Sequence, residues 1–202
     1  MAKKRTDKAE RILEAAARVL AREGYGGATV AVVAAEAGVS RGLLHYYFEN
    51  KEDMVARVLR RNVGRTTALL RSIAASAATP AVFASALTGA LRRVAEDEPA
   101  LFTVLAEALS ASRRSVLIGR ELTELHGHFT AAFEEAFRAW ADQGHMPRRP
   151  SFRGLAVVLT ALVDGLGLDL VAVKGLARED DVWRTFEQAL VHILTGGTER
   201  GS

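Results

Sequence analysis

Apolar residues recur three and four positions apart along almost the whole of this chain, and no stretch alternates apolar and polar residues between hairpin turns. Helices packed on helices are what such a pattern can build. The chain therefore reads as all-α, with about nine helices divided by Gly, Pro, Ser and Thr.

The first helix is predicted from about Asp7 to Glu23, with Ile12, Leu13, Ala16, Val19 and Leu20 on one face. Gly24 suits the left-handed position that ends a helix, and Tyr25, Gly26 and Gly27 then make a loop. Thr29 is a candidate N-cap for a short helix that Gly38 stops near Ala37, and Ser40 caps a third helix to about Phe48. Asn50 caps a fourth, expected to run to about Ala75, whose Glu52 and Asp53 suit the positive end of its dipole. Farther on, Thr79-Pro80, Pro99, the Ser110–Ser115 stretch and Gly144–Ser151 are breaks that leave about five more helices. These are expected from about Val116 to Gln143, Phe152 to Lys174 and Asp180 to Leu194, with two shorter ones before them.

Composition narrows the function classes. The 202 residues can bury a core without staples, and the absence of cysteine excludes disulfides, thiolate metal sites and thiol chemistry. No apolar run of signal-peptide length follows the basic start, so a cytoplasmic protein is expected. Gly154–Val173 approaches membrane-spanning length, but Asp164 and Asp169 interrupt it, and a helix buried in protein, with no membrane, is the expectation. Residues 1–62 hold 12 Lys and Arg against 8 Asp and Glu, whereas the remainder holds 15 against 16. The positive excess lies where contact with phosphate would need it.

The two short helices joined through Ala37-Gly38-Val39 match a helix-turn-helix, whose second helix enters the major groove. Leu44 and Phe48, four residues apart, can pack inward on Val32, Val33 and Val39, leaving Arg41, Gly42, His45 and Tyr46 on the outward arc. Arg41 can donate two hydrogen bonds to a guanine edge, His45 can meet another base, and Gly42 lets the backbone come close. Hydroxyls of Thr29, Ser40, Tyr46 and Tyr47 and the amine of Lys51 can hold phosphates. Without DNA to meet, the same residues would make a three-helix core with solvated charges. A basic arm of Lys3, Lys4 and Arg5 can enter a neighbouring minor groove or remain a solubilising tail.

The run AVVAAEAGVSRGLLHYYFENKEDMV after Thr29-Val30 resembles the DNA-binding domain of the TetR (tetracycline repressor) family over about residues 8–55. The resemblance rests on Gly38-Val39-Ser40, Leu44, Tyr47-Phe48 and Lys51-Glu52 in register. It implies that Arg41, Gly42 and His45 read bases and that Thr29, Tyr46, Tyr47 and Lys51 hold phosphates. Leu43 stands where the family often has Thr and His45 where it often has Tyr, so Leu43 is left to touch a thymine methyl or to pack. The resemblance also implies a DNA-binding part over residues 1–50 and a helical ligand-binding and dimerisation part over 51–202, with the last two helices pairing across a homodimer.

In the second part, Phe83, Leu87, Phe102 and Leu105 recur at helical spacing, as do Phe129 and Phe133, and all can line an apolar pocket, although most such stripes are core. Asp164 needs a ligand, a partner subunit or water. His126 and His128 diverge around a helix, and Glu124 with His128 lacks further ligands, so no metal or cofactor is expected. The sequence has no P-loop, dinucleotide fingerprint or GxSxG motif that would signal an enzyme. The expected function is a homodimeric transcription repressor, bound to a palindromic double-stranded operator and released by a small, largely apolar effector. An activator or corepressor-dependent regulator of the same fold, an enzyme using the pocket, and a protein-interaction module are the alternatives.

Overall fold

The computed structural model describes residues 2–98 and 100–196, with side chains from Lys8 onward. Lys3, Lys4 and Arg5 therefore fall outside the described side chains, and Pro99 outside the described residues. Nine α-helices occur among the described residues: α1 Ala2–Gly27, α2 Val30–Ala37, α3 Arg41–Tyr47, α4 Lys51–Ser76 and α5 Pro80–Asp97. They continue with α6 Ala100–Ser112, α7 Val116–Asp142, α8 Phe152–Ala172 and α9 Asp180–Thr195, with a 3-10 turn at Leu176–Arg178 before the last.

Caps set most of these boundaries. Oγ1 of Thr29 accepts from the Val32 amide at 3.3 Å, Oγ of Ser40 from Leu43 at 3.2 Å, and Oγ1 of Thr79 from Val82 at 3.3 Å. Asn50 does the same for α4, its Oδ1 lying 2.9 Å from the Asp53 amide. Gly38 closes α2 in the left-handed region at φ 64°.

The end of α1 departs from expectation. Gly24 adopts φ 68° and ψ 178°, a conformation open to glycine, yet helical structure resumes and continues to Gly27. Tyr25–Gly27 is thus a kinked continuation held by the Ala28 amide on the Gly24 carbonyl at 3.2 Å, and not the loop that the glycines suggested. The helix also begins at Ala2, earlier than the expected Asp7, and α8 ends at Ala172, before Lys174.

The chain divides into two compact units. The first comprises the residues through Gly64 together with Ala100–Leu125. In it α1 packs on α2 and α6, and α2 on α3. Its core gathers Ile12, Ala16, Val19 and Leu20 from α1, Val33 from α2, Leu44 and Phe48, Met54, Val55 and Val58 from α4, and Val104 and Ala108 from α6. Burial of this apolar surface is what holds the short α2 and α3, which are too brief to persist alone.

The second unit comprises Arg65 onward to residue 98, and the chain from His126. Phe83 meets Trp140 edge-on at 4.8 Å and Phe133 at 6.2 Å, while Phe133 stacks on Phe137 at 5.9 Å. Helix α9 packs on α5 through Trp183, Phe186, Leu190 and Leu194, all buried. Its last carbonyls, at Ile193 and Leu194, accept from Nη2 of Arg149 at 2.7 and 3.0 Å.

Helix α8 is a correction to the expectation of a helix buried in protein. It is long and apolar enough to cross a membrane by length and composition, and only 22% of its most apolar window is buried within the chain. Gly154, Val157, Val158, Ala161 and Gly165 form an exposed stripe on it, while Ala156, Leu159 and Thr160 face inward.

Candidate nucleic-acid interface

Helix α3 is seven residues long, and its orientation is fixed by what it buries. Leu44 and Phe48, at 1% and 4% exposure, enter the first unit's core beside Val33, with Val32 and Val39 packed against the same cluster. A helix pinned along one side presents the other, and Arg41, Gly42, His45 and Tyr46 are all exposed, Tyr46 at 69%. The outward arc expected from the sequence is formed. No Cβ-sized neighbour lies within 4 Å of Gly42, so its surface is open to a close approach.

The phosphate candidates lie on α3 itself and at the starts of α2, α3 and α4. Thr29 and Ser40 stand at the N-termini of α2 and α3, exposed while their side-chain oxygens cap those helices. Tyr47 is half-buried between the edge of Tyr46, 5.4 Å away, and Phe48, 6.4 Å away. Lys51 opens α4, where backbone amides and the helix dipole already favour an anion. Its Nζ donates to the Gly26 carbonyl at 2.9 Å and sits 4.4 Å from the centre of the Tyr25 ring. Partial burial holds the Lys51 amine below the ordinary lysine value. Burial raises the Tyr25 phenol, with a further push from the Glu52 carboxylate.

Leu43 is half-buried. Glu36 on α2 is gripped by Arg18 at 3.0 Å and Arg22 at 3.3 Å from α1, and the Arg18 bond is the first cause of its lowered carboxyl. These pairs tie α2 to α1. Two residues of this region carried no signal in the sequence: Tyr25, an aromatic among glycines, and Glu107 on α6, whose carboxylate accepts the Tyr25 amide at 2.6 Å. The 82 positions between them hide the contact from any local pattern.

The residues expected to line a pocket are not all in one unit. Phe83, Leu87, Phe129, Phe133 and Asp164 belong to the second, and Phe102 and Leu105 to the first. Phe83, Leu87, Phe102 and Phe133 are buried, and Leu105, Phe129 and Asp164 half-buried. Burial pushes the Asp164 carboxyl up, and the charge of His126 partly opposes it.

Similarities to known proteins follow this division of roles. Residues 12–58 match the family model for bacterial regulatory proteins of the tetR family. An uncharacterized HTH-type transcriptional regulator of Mycobacterium tuberculosis is 28% identical over 200 residues, 96% of each chain. The fatty acid degradation regulator FadR from Bacillus halodurans has the same fold, with a TM-score of 0.78 at 22% identity, over 96% of this chain and 97% of that one. The transcriptional regulator FadR from Bacillus subtilis, solved in complex with stearoyl-CoA, superposes with a TM-score of 0.75 at 18% identity, over 94% and 99%. The segment that matches the tetR-family model is thus folded as a helix-turn-helix, and over nearly its whole length the chain is similar to an HTH-type transcriptional regulator.

Proposed function

We propose that the protein is a homodimeric repressor that grips a palindromic operator through two copies of α3 and leaves it when a small, largely apolar effector binds. The observation that carries this reading is the two-sided α3, with Leu44 and Phe48 buried and Arg41, Gly42 and His45 outward. Arg41 and His45 read base edges, and Gly42 lets the helix backbone approach the groove. Thr29, Ser40, Tyr46, Tyr47 and Lys51 hold the flanking phosphates and set the register.

The exposed stripe on α8 supports a twofold partner, because Gly154, Ala161 and Gly165 let two helices approach closely and Val157 and Val158 supply apolar area. A twofold dimer sets its recognition helices about 34–36 Å apart, one turn of duplex. The aromatic interior of the second unit, with Phe83, Leu87, Phe129 and Phe133, is suited to an apolar effector, and Asp164 to a polar group on it. Elsewhere in the second unit the buried hydroxyls of Thr67, Thr88 and Thr130 find no partner among the described residues, which also favours a guest with hydrogen-bonding groups. That a protein of this fold binds stearoyl-CoA supports the apolar class. In functional terms residues 1–50 bind DNA and 51–202 sense and dimerise, and the protein acts in the cytoplasm as a regulator and not as an enzyme.

Selection of bound duplexes from a random pool at two salt concentrations tests the reading. An enriched palindrome with half-sites about one turn apart is expected. Titration of long-chain fatty acids and acyl-CoA into the resulting complex should release the DNA. Folded dimer that enriches no sequence would overturn the assignment of α3.

A further inference from the structure

Glu107 lies within α6, on the arc shared with Val104, Ala108 and Ala111, which are buried in the first unit's core. It reaches the kink of α1, where its Oε2 accepts the Tyr25 amide at 2.6 Å. The fit is close. The positive φ favours glycine at position 24, and a Cβ placed there would come within 3.1 Å of that oxygen and press on the Glu107 carboxylate. The segment so anchored holds Lys51 in turn: the Gly26 carbonyl takes one Lys51 N–H at 2.9 Å, and the Tyr25 ring lies 4.4 Å from the ammonium. Beyond it, the Thr29 amide closes on the Gly27 carbonyl at 2.7 Å.

We infer that Glu107 is a positioning residue for DNA binding: by fixing Tyr25 and Gly26 it aims the Lys51 amine at the operator phosphate. This rests on the proposed function and deepens it. Lysine is a flexible point charge with four rotatable bonds, and an unheld amine loses entropy on meeting phosphate. A carbonyl and a ring that take only part of its hydrogen-bonding capacity hold it in place while leaving donors for the anion. Because the anchor is on α6, any rearrangement of that helix is felt at the phosphate contact without a change in the base-reading residues.

The sign of the effect separates this role from simpler ones. Removing a carboxylate makes the protein more positive, so long-range electrostatics alone predicts tighter DNA binding by Glu107→Ala. The positioning role predicts the reverse: operator affinity about tenfold lower and uniform across base substitutions in the site. The slope of log affinity against log salt should fall by about one. Glu107→Ala combined with Lys51→Ala should bind no more weakly than Lys51→Ala alone, since the first change acts through the second residue. Glu107→Asp, which keeps the charge and shortens the reach by one carbon, should lie between wild type and Glu107→Ala, and it carries the test if the alanine variant does not fold. Measurements are made on full-length protein whose folding is checked by circular dichroism. Wild-type affinity and salt slope in Glu107→Asp, tighter binding by Glu107→Ala, or losses that add fully to those of Lys51→Ala overturn the inference. Absence of any DNA binding by the wild type would instead overturn the proposed function, and this inference with it.

Discussion

Arg60 on α4 and Glu121 on α7 form a doubly hydrogen-bonded ion pair, with Nε donating to Oε2 at 2.6 Å and Nη2 donating to Oε1. The two ends of the pair are unequal: the carboxylate is 3% exposed and the arginine side chain 55%. Glu121 is therefore a buried charge that depends on a cation reaching in from the surface, and the hydrogen bond to it raises the Arg60 guanidinium. Arg60→Ala should cost about 2 kcal/mol, because it removes two charge-assisted donors from a buried acceptor. The exposure of the arginine keeps the figure below that of a fully buried pair. Thermal unfolding should register a fall of several degrees. Glu121→Gln, which needs no cation, should lose less, and equal losses in the two variants would contradict the asymmetry.

Gly42 separates folding from recognition. No atom lies within 4 Å of a Cβ placed there, and its φ is not positive, so Gly42→Ala should leave the fold intact. By helix propensity it should even stabilise α3 by up to about 1 kcal/mol. Operator affinity should nevertheless drop, because the methyl group stands where the backbone meets the groove. Arg41→Ala should act differently, losing about 1–3 kcal/mol of discrimination at one base pair per half-site while affinity for other sequences persists. Binding to a panel of single-substituted operators distinguishes the two patterns.

These assignments show what the sequence could disclose. Thr29, Ser40, Asn50 and Thr79 are caps whose chemistry acts within three residues, and Leu44 and Phe48 announce the buried side of α3 by their spacing, so α2 to α4 and the start of α5 could be read almost residue by residue. Gly24 misled because a positive φ is the usual mark of a helix end, whereas here the chain kinks and resumes its helix. Glu107 and Glu121 were illegible for another reason. Their partners lie 82 and 61 positions away, and nothing local distinguishes a carboxylate that will be buried from one left in water. The apolar run in α8 was read as buried in protein and, by the resemblance, as part of a pairing surface, because apolarity records only that water is to be excluded, not which molecule excludes it.

That last point carries its own test. Val158 is 56% exposed on the α8 stripe, so Val158→Glu places a charge on a surface that the described chain covers only in part. Monomer folding should be little changed. In sedimentation equilibrium the wild type should be dimeric and the variant monomeric, with operator binding weakened as the two α3 helices lose their fixed spacing. A variant that remains dimeric would remove α8 from the interface.

Asp164 makes stability depend on pH. Burial raises its folded carboxyl above the ordinary aspartate value of 3.8, with His126 pulling the other way. Below 3.8 the folded and unfolded chains both hold the proton, and no penalty arises. As pH rises through the raised folded value, the native state must keep a half-buried charge that the unfolded chain solvates freely, and stability is lost. Asp164→Asn should therefore match wild type in acid and exceed it near neutrality. Melting temperatures of the two proteins across pH 3.5 to 7.5, on a scale of about one pH unit per 1.4 kcal/mol of shift, would reveal this divergence or its absence.

The capping hydroxyls of Thr29 and Ser40 have a bearing on the chemistry of the outer surface. Each oxygen is drawn onto a backbone amide, at 3.3 and 3.2 Å, so a lone pair is already occupied by the protein's own helix. What each group can still turn toward a partner is its proton and its second lone pair. The fold thereby anchors two rotatable hydroxyls by one lone pair each, so a housekeeping bond inside one helix turn also leaves a proton free to meet an oxygen-rich anion outside it.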